Sequence, residues 1–402
     1  MTTMRNATVL DGLVVIDAGH VMAGPFCAML LGDLGADVIK VERPGGDDTR
    51  RFGPPFVQGE SAAFLAVNRN KRGVCLNLKT EEGRQLFREL VARADVVIEN
   101  YTPGTMARLG LGYEDLRPLN PGLIYCSISG FGQTGPYRNR GGFDLVAQAM
   151  SGLISVTGHP DGPPTKVGVP LSDLGAGLYA AQAVLAAYIH RLRTGEGQHL
   201  DISLLEAAVS LTVWESASYF ATEIVPPPMG SAHRLLAPYQ VFPTAGDPIV
   251  IGVGNQRNWT RLCEALGRED LLHEERFSTN ELRTRNQLEL AEELLGTFKT
   301  RQASDWLGRL EAAGVPAGPV YDIEDVYQDP HLQERGMRVR LTHPHAGPVD
   351  HIGSPIHFSL TPVSYRRPAP LLGQHSEEIL TWLGYSQAEI TQLKDQGVVT
   401  CA

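Results

Sequence analysis

Apolar positions in the first half of the chain fall in short runs of strand length, separated by segments of helical periodicity. Residues 13–17 (LVVID) predict a buried strand. Gly24 and Pro25 then open a helix through FCAMLLGDLG, which Gly35 ends. Residues 37–42 (DVIKVE) predict the next strand, so residues 13–42 read as one βαβ unit with a parallel pair. After the basic turn NRNKRG, VCLNL is a third strand. Thr80 caps a helix over EEGRQLFRELVARA, with Leu86, Leu90 and Val91 on one face. Strands at 96–99 and 123–130 follow. Strand and helix alternate in this way over about 200 residues. That predicts an α/β fold with a doubly wound sheet, whose ligands bind beyond the C-terminal ends of the strands.

The longest apolar segment, residues 174–189, is interrupted only by Gln182 and predicts a buried helix. His190, Arg191 and Arg193 crowd its C-terminal end, where cations suit the dipole, and Gly195 and Gly197 stop it. Its start carries the polar group that needs explaining. Asp173 stands between Ser172 and the glycines Gly175 and Gly177. Backbone N–H groups at a helix N-terminus favour an ionised carboxylate, and glycines beside it leave room for another molecule. Two readings stay open on this segment alone: Ser172 or Asp173 caps the helix, or Asp173 is a catalytic carboxylate. Gly175-x-Gly177-x-x-Ala180 also fits a dinucleotide fingerprint, with Asp201 beyond it, but the residues before it include Pro170 and make a poor strand.

The pattern changes after about residue 218. Pro226, Pro227 and Pro228 mark a linker, PIVIGVGNQRNW reads as a strand feeding a helix, and residues 278–313 give charged amphipathic helices. We therefore expect a smaller α+β domain at 225–325 and a large domain made from 1–220 and 326–402. The large domain closes with an amphipathic helix near 376–383.

Hydrophobic residues at 43% and charged residues at 20% describe a globular protein without nucleic-acid or membrane chemistry, and the net charge of −10 argues the same way. The five cysteines form no C-x-x-C pair, and the N-terminal residues lack a signal-peptide pattern. A cytoplasmic protein with reduced thiols is the expectation. His343, His345, His351 and His357 are spaced as loop histidines with no carboxylate or thiol beside them, so no metal is expected. Several loops at strand ends carry cations beside glycines: Arg43, then Lys71 and Arg72, then Arg108. Together they predict a polyphosphate site in an otherwise acidic chain.

The ordered set VVIDAGHVMAGPFCAMLLGDLGADVIKVERPGGDDTR, NRNKRGVCLNLK, ADVVIENYTPG, LGLGYEDL and NPGLIYCSISGFGQTGPY, continued by GGFDLVAQAMSG, VGVPLSDLGAG and RTGEGQHLDISLLE, resembles the family III CoA-transferases. That group includes formyl-CoA and carnitine CoA-transferases and the α-methylacyl-CoA racemases. The resemblance covers nearly the whole chain. It implies an interlocked homodimer, each chain with a large Rossmann-like domain and a small domain. It places the essential aspartate on Asp173. CoA contacts fall on Val21, Met22, Arg43, Asn70, Lys71, Arg72, Asn100, Tyr101 and Arg108, and Gly230 and Ser231 lie where the family has a closing loop.

Two departures narrow the reading. The racemase branch has a histidine base where this chain has Phe143 before Asp144, and loss of that imidazole removes one of two acid/base groups. Racemization is the alternative reading. The oxalate-using branch has a glycine run in its closing loop, whereas here Gly230-Ser-Ala is followed by His233 and Arg234, which suit the far carboxylate of a dicarboxylic acid such as succinate or mesaconate. Transfer of CoA between acids without ATP needs a carboxylate that passes through a mixed anhydride and a thioester. Asp173 is the residue expected to do this, with a CoA thioester as substrate and no permanently bound cofactor. A non-catalytic CoA-binding protein and a nucleotide-dependent oxidoreductase are the readings from other classes.

Overall fold

The computed structural model describes residues 8–401, which divide into two compact units. The first comprises the chain up to Leu153, Val167–Trp214 and His331 onward; the second comprises Ile154–Lys166 and Glu215–Pro330. Compared with the expected boundaries, the segment 154–166 belongs to the second unit. Gly158 accepts the N–H of Gly230 at 2.7 Å, and the His159 ring lies against Gly230, so this segment is tied to the chain that follows residue 215.

The first unit is built on a seven-stranded sheet. In spatial order the strands are Val399–Thr400, Lys71–Leu76, Asp37–Glu42, Val14–Asp17, Val96–Glu99, Ile124–Ser129 and His199–Ser203. All neighbours run parallel except the two-residue strand Val399–Thr400, which caps one edge antiparallel to Lys71–Leu76. The central strands are buried along nearly their whole length, as a sheet covered on both faces requires. On one face pack the helices Glu81–Ala92 and Ser376–Leu383, through Leu86, Phe87, Leu90, Ile379 and Leu380. On the other pack Ala23–Asp33 and the long helix Leu171–Thr194, through Cys27, Leu31, Ala176, Ala180 and Val184. The chain moves outward one way from Val14–Asp17 through the second and third strands, then returns to add Val96–Glu99 on the other side. The sequence of crossovers therefore reverses between the strands ending at Asp17 and Glu99, and a crevice opens at such a reversal.

The second unit holds a three-stranded antiparallel sheet, Tyr239–Phe242, Ile249–Gly252 and Ala317–Pro319, under helices that bury Trp259, Phe298 and Trp306.

The long helix departs from expectation in one respect. It is buried on only one face within this chain: Leu178, Ile189 and Leu192 are exposed, Leu192 by 68%. Its small residues pack on the Ala23–Asp33 helix, and it also meets the sheet and the helices Asp144–Met150 and Leu204–Ser210.

Candidate active site

Two places in the first unit carry chemistry. The first is the N-terminal turn of the long helix. Pro170 is the N-cap and offers no side-chain cap. That role is taken from elsewhere: Asp144, which opens the helix Asp144–Met150, accepts the Ser172 N–H on Oδ1 at 2.9 Å. Its Oδ2 accepts from Gln148 Nε2 at 2.8 Å. Gln148 is fully buried and also holds the incoming strand of chain, accepting the Val167 N–H at 2.9 Å and donating to Val169 O at 3.2 Å. Neither Ser172 nor Asp173 caps the helix, so the capping reading falls.

Asp173 is thereby left partly buried in the first turn, and its carboxyl makes no hydrogen bond or ion pair among the described residues. Burial, and then the charge of Asp144, push the carboxyl up to about 7. This corrects the expectation that the helix N-terminus keeps it firmly ionised: the first turn's N–H of Ser172 goes to Asp144 instead. Gly177 has a different task from the one expected. A Cβ on Gly177 would lie 2.8 Å from the Phe26 ring and 3.0 Å from Ala23 O. Gly177 thus lets the first turn of the Ala23–Asp33 helix approach the long helix one turn beyond Asp173, rather than leaving room for a ligand. Gly175, Gly177 and Ala180 all lie within the helix with no strand before them, so the dinucleotide fingerprint is only a run of small packing residues.

The second place is a cleft of about 180 Å³ at the sheet's crossover reversal, lined by Gly19, His20, Arg43, Gly46, Asp48 and Tyr101 among others. Of the residues expected to contact CoA, Arg43 and Tyr101 line it. Arg43 stays largely exposed, paired with Asp48 and donating to Gly46 O. Val21 and Met22 continue the loop that carries His20, and Val21 has φ +64°, a left-handed conformation unusual for a β-branched residue. Asn100 brackets His20 like a strand neighbour, accepting its N–H at 2.8 Å and donating to its carbonyl at 2.7 Å. Arg108 is exposed at the end of the short helix Thr105–Arg108, which follows the Tyr101 loop, and donates to Thr105 Oγ1.

Asn70, Lys71 and Arg72 do not join them. Lys71 and Arg72 begin the strand Lys71–Leu76 and Asn70 precedes it, so their backbone lies at the opposite, N-terminal end of the parallel sheet, although the Lys71 side chain reaches back to Asp17. Lys71 is completely buried: its Nζ is 2.7 Å from Asp17 and donates to Pro25 O and Asn68 Oδ1. Burial pushes its ammonium down to about 8. Arg72 is held by Asp37 and Glu378. Asn70, at φ +61°, donates to Asp33 Oδ1 and Ser364 O and accepts the N–H groups of Arg366 and Arg367. These three polar groups are committed to the framework.

Sequence reasoning missed His20. It lines the cleft, its ring 5.2 Å from that of Tyr101, with Nδ1 buried and unpartnered among the described residues, and burial lowers its basicity. A lone histidine after a strand gives no signal until the loop is seen folded over the cleft.

In the second unit, Gly230 takes φ +63° and Ser231 Oγ accepts the Val241 N–H at 3.1 Å. His233 Nδ1 accepts the Leu235 N–H at 3.0 Å, and Arg234 Nη2 donates to Pro227 O at 2.8 Å while its Nε is buried with no partner among the described residues.

The sequence model of CoA-transferase family III matches residues 10–376. The chain is 42% identical over 398 residues to the succinyl-CoA:glutarate CoA-transferase of Homo sapiens, covering 98% of this chain and 91% of that one. It is 44% identical over 391 residues to the succinate–glutarate CoA-transferase of Agrobacterium fabrum, covering 95% and 98%. Among solved structures, a CAIB/BAIF family protein from Brucella suis superposes with a TM-score of 0.85 at 42% identity, over 94% of this chain and all of that one. With a match of this extent lying over both the Asp173 turn and the cleft, the chain belongs to CoA-transferase family III.

Proposed function

We propose that this enzyme moves CoA from an acyl-CoA donor to a free short dicarboxylic acid, of the size of succinate, mesaconate or glutarate, through a thioester on Asp173. The observation that carries the covalent step is the Asp173 carboxyl, fixed in a helix turn with no partner of its own among the described residues. The substrate class rests on the names of the relatives, which pair succinyl-CoA or succinate with glutarate. His233 and Arg234 are the residues we assign to the far carboxylate, with Gly230 and Ser231 in the closing loop.

The steps balance without metal, redox partner or resident cofactor. A carboxylate oxygen of Asp173 attacks the donor's thioester carbonyl; the C–S bond breaks, leaving a mixed anhydride and CoA thiolate. The thiolate attacks the Asp173 carbonyl carbon and expels the donor acid, giving the aspartyl-CoA thioester. The acceptor carboxylate then attacks that thioester, and the released thiolate attacks the acceptor's acyl carbon and restores Asp173. No net proton is consumed.

CoA itself lies, in this reading, over the crevice of a Rossmann-like domain, with Arg43 and Arg108 toward its phosphates and Val21, Met22, Asn100 and Tyr101 shaping its bed. Asn70, Lys71 and Arg72 serve beneath it as framework. The working form is a homodimer in a reducing, cytoplasmic setting. The exposed apolar residues support the first: Leu192 on the long helix, and Val213 and Phe220 on Val213–Thr222, a helix with no buried residue. Four buried, unlinked cysteine thiols support the second.

Succinyl-CoA mixed with the protein without acceptor should leave a CoA-sized adduct on the peptide containing Asp173, cleavable by hydroxylamine. Continued transfer by the Asp173→Ala variant would sink the proposal. A racemase would instead exchange the α-proton of a 2-methylacyl-CoA with D₂O; Phe143, 73% exposed where that chemistry needs an imidazole, argues against it.

A further inference from the structure

Beneath the cleft lies a group of charges that the transfer chemistry does not use. Lys40 is fully buried on the strand Asp37–Glu42. Its Nζ donates to Gly19 O at 3.0 Å and to Asp47 Oδ2 at 3.1 Å, with Asp17 3.8 Å away. Asp47, also buried, accepts the Thr49 N–H at 2.9 Å, the Thr49 hydroxyl at 2.7 Å and, on both oxygens, the Val21 N–H at 3.3 Å. Its own N–H goes to Glu42, which Arg50 holds in a two-toothed pair. Asp17 Oδ1 accepts the Gly19 N–H at 2.9 Å.

These bonds converge on one short piece of backbone. Gly19 is held at its N–H by Asp17 and at its carbonyl by Lys40; Val21 is held at its N–H by Asp47. Asn100 holds both groups of His20 between them. A valine at φ +64° relaxes to an extended conformation unless its surroundings forbid it. That relaxation would displace His20, which lines the cleft.

We propose that the Lys40–Asp47 pair is a positioning device for CoA binding, holding Gly19–Val21 in a strained shape that presents His20 to the cleft. The inference rests on the reading that CoA occupies this cleft. A charged pair buried this deeply is a poor way to stabilise a fold when an apolar pair of similar volume serves as well. It is a good way to fix two backbone groups, the Gly19 carbonyl and the Val21 N–H, that lie beyond the end of the strand.

The test uses the full-length enzyme and measures KM for each substrate, kcat, and CoA affinity by calorimetry. Asp47→Asn should raise KM for the acyl-CoA by roughly tenfold, leave kcat within about twofold and leave KM for the acid unchanged. Adding Val21→Gly should recover most of that loss, because glycine adopts a positive φ without being held there. A purely structural role predicts no such recovery and a fall in folded protein instead. Should Asp47→Asn fail to fold, Thr49→Ala removes one bond that aims Asp47 without altering charge, and should raise the CoA Kd severalfold. Unchanged acyl-CoA KM or Kd in these variants, or a loss of kcat that Val21→Gly does not relieve, overturns the inference. Arg43→Ala and Tyr101→Ala separate the two readings. If they weaken CoA binding while Asp47→Asn does not, only the positioning role fails; if none of the three weakens it, CoA does not use this cleft.

Discussion

Asp173 and Asp47 are both carboxylates withdrawn from water at the ends of secondary-structure elements in the same unit, and they have opposite electrostatic fates. Burial disfavours the charge of each. At Asp47 that effect is outweighed by Lys40 and by Thr49's two donors, which hold the carboxyl down at about 2. At Asp173 no donor among the described residues reaches the carboxyl and a second carboxylate, Asp144, adds to the cost of burial, so it rises to about 7. Depth does not tell a structural acid from a reactive one; the partners do. A saturated carboxylate has no lone pair left for chemistry. One whose neighbours are all engaged elsewhere is held in place by its backbone and keeps both oxygens for an incoming acyl group.

The largest expected effect breaks the comparison at the reactive end. Asp173→Ala should lower transfer by more than about 10³-fold, with dimerisation and CoA affinity unchanged, because removal of a covalent nucleophile leaves only binding behind. Intact CoA binding with no adduct by mass spectrometry is the result to look for. At the saturated end the effect is on folding. Lys71→Met leaves Asp17 with only the more distant Lys40, and should destabilise the protein by about 3 kcal/mol. Chemical denaturation at fixed protein concentration measures this. A loss of CoA affinity without loss of stability would instead make Lys71 a phosphate ligand.

Next in size is a gain. The folded Asp173 carboxyl binds its proton more tightly than an unfolded one, ordinarily near 3.9. Its ionisation therefore costs stability progressively between about pH 4 and 7, and the full cost is present above 7. Asp173→Asn should raise stability at pH 8 by on the order of 2 kcal/mol, and by much less at pH 4. Melting curves of both proteins at the two pH values decide it; an equal effect at both would show that the carboxyl is not strained.

The contrast also explains how much could be read from the sequence. Parallel strands announce themselves as apolar runs, so the sheet, the Thr80 cap (its Oγ1 accepts the Gly83 N–H at 3.1 Å) and the Gly195 stop at φ +79° were all legible. Asp173 was legible as an acid at the mouth of an apolar helix. The fate of a cation was not. Lys71 and Arg43 look alike in sequence, both beside glycines and strand ends, yet one is swallowed by Asp17 and the other faces solvent. What separates them is which end of a parallel strand each occupies, and which side chains from remote segments meet it there. The capping of the long helix by Asp144, 28 residues away, is illegible for the same reason. Periodicity reports which face is buried, not who arrives to satisfy it.

The smallest effect sharpens the comparison at Asp144 itself. Its charge is the second cause, after burial, of the raised Asp173 carboxyl. Attack requires the ionised form, so kcat/KM should climb with pH and level off above about 7. In Asp144→Asn the Oδ1 atom still accepts the Ser172 N–H, but the repulsion is gone, and the inflection should move to lower pH by up to about one unit, ~1.4 kcal/mol of interaction. The new amide also faces Gln148 Nε2 with a donor, so Gln148 must turn and release Val167. The variant should therefore be slower at its plateau while being relatively more active at pH 6. Asp144→Ala gives the contrasting control: it lowers the inflection too but uncaps Ser172, and its plateau should fall further. A profile whose inflection stays at 7 in both variants would mean that burial alone sets the Asp173 carboxyl, and that Asp144 acts only as the helix cap.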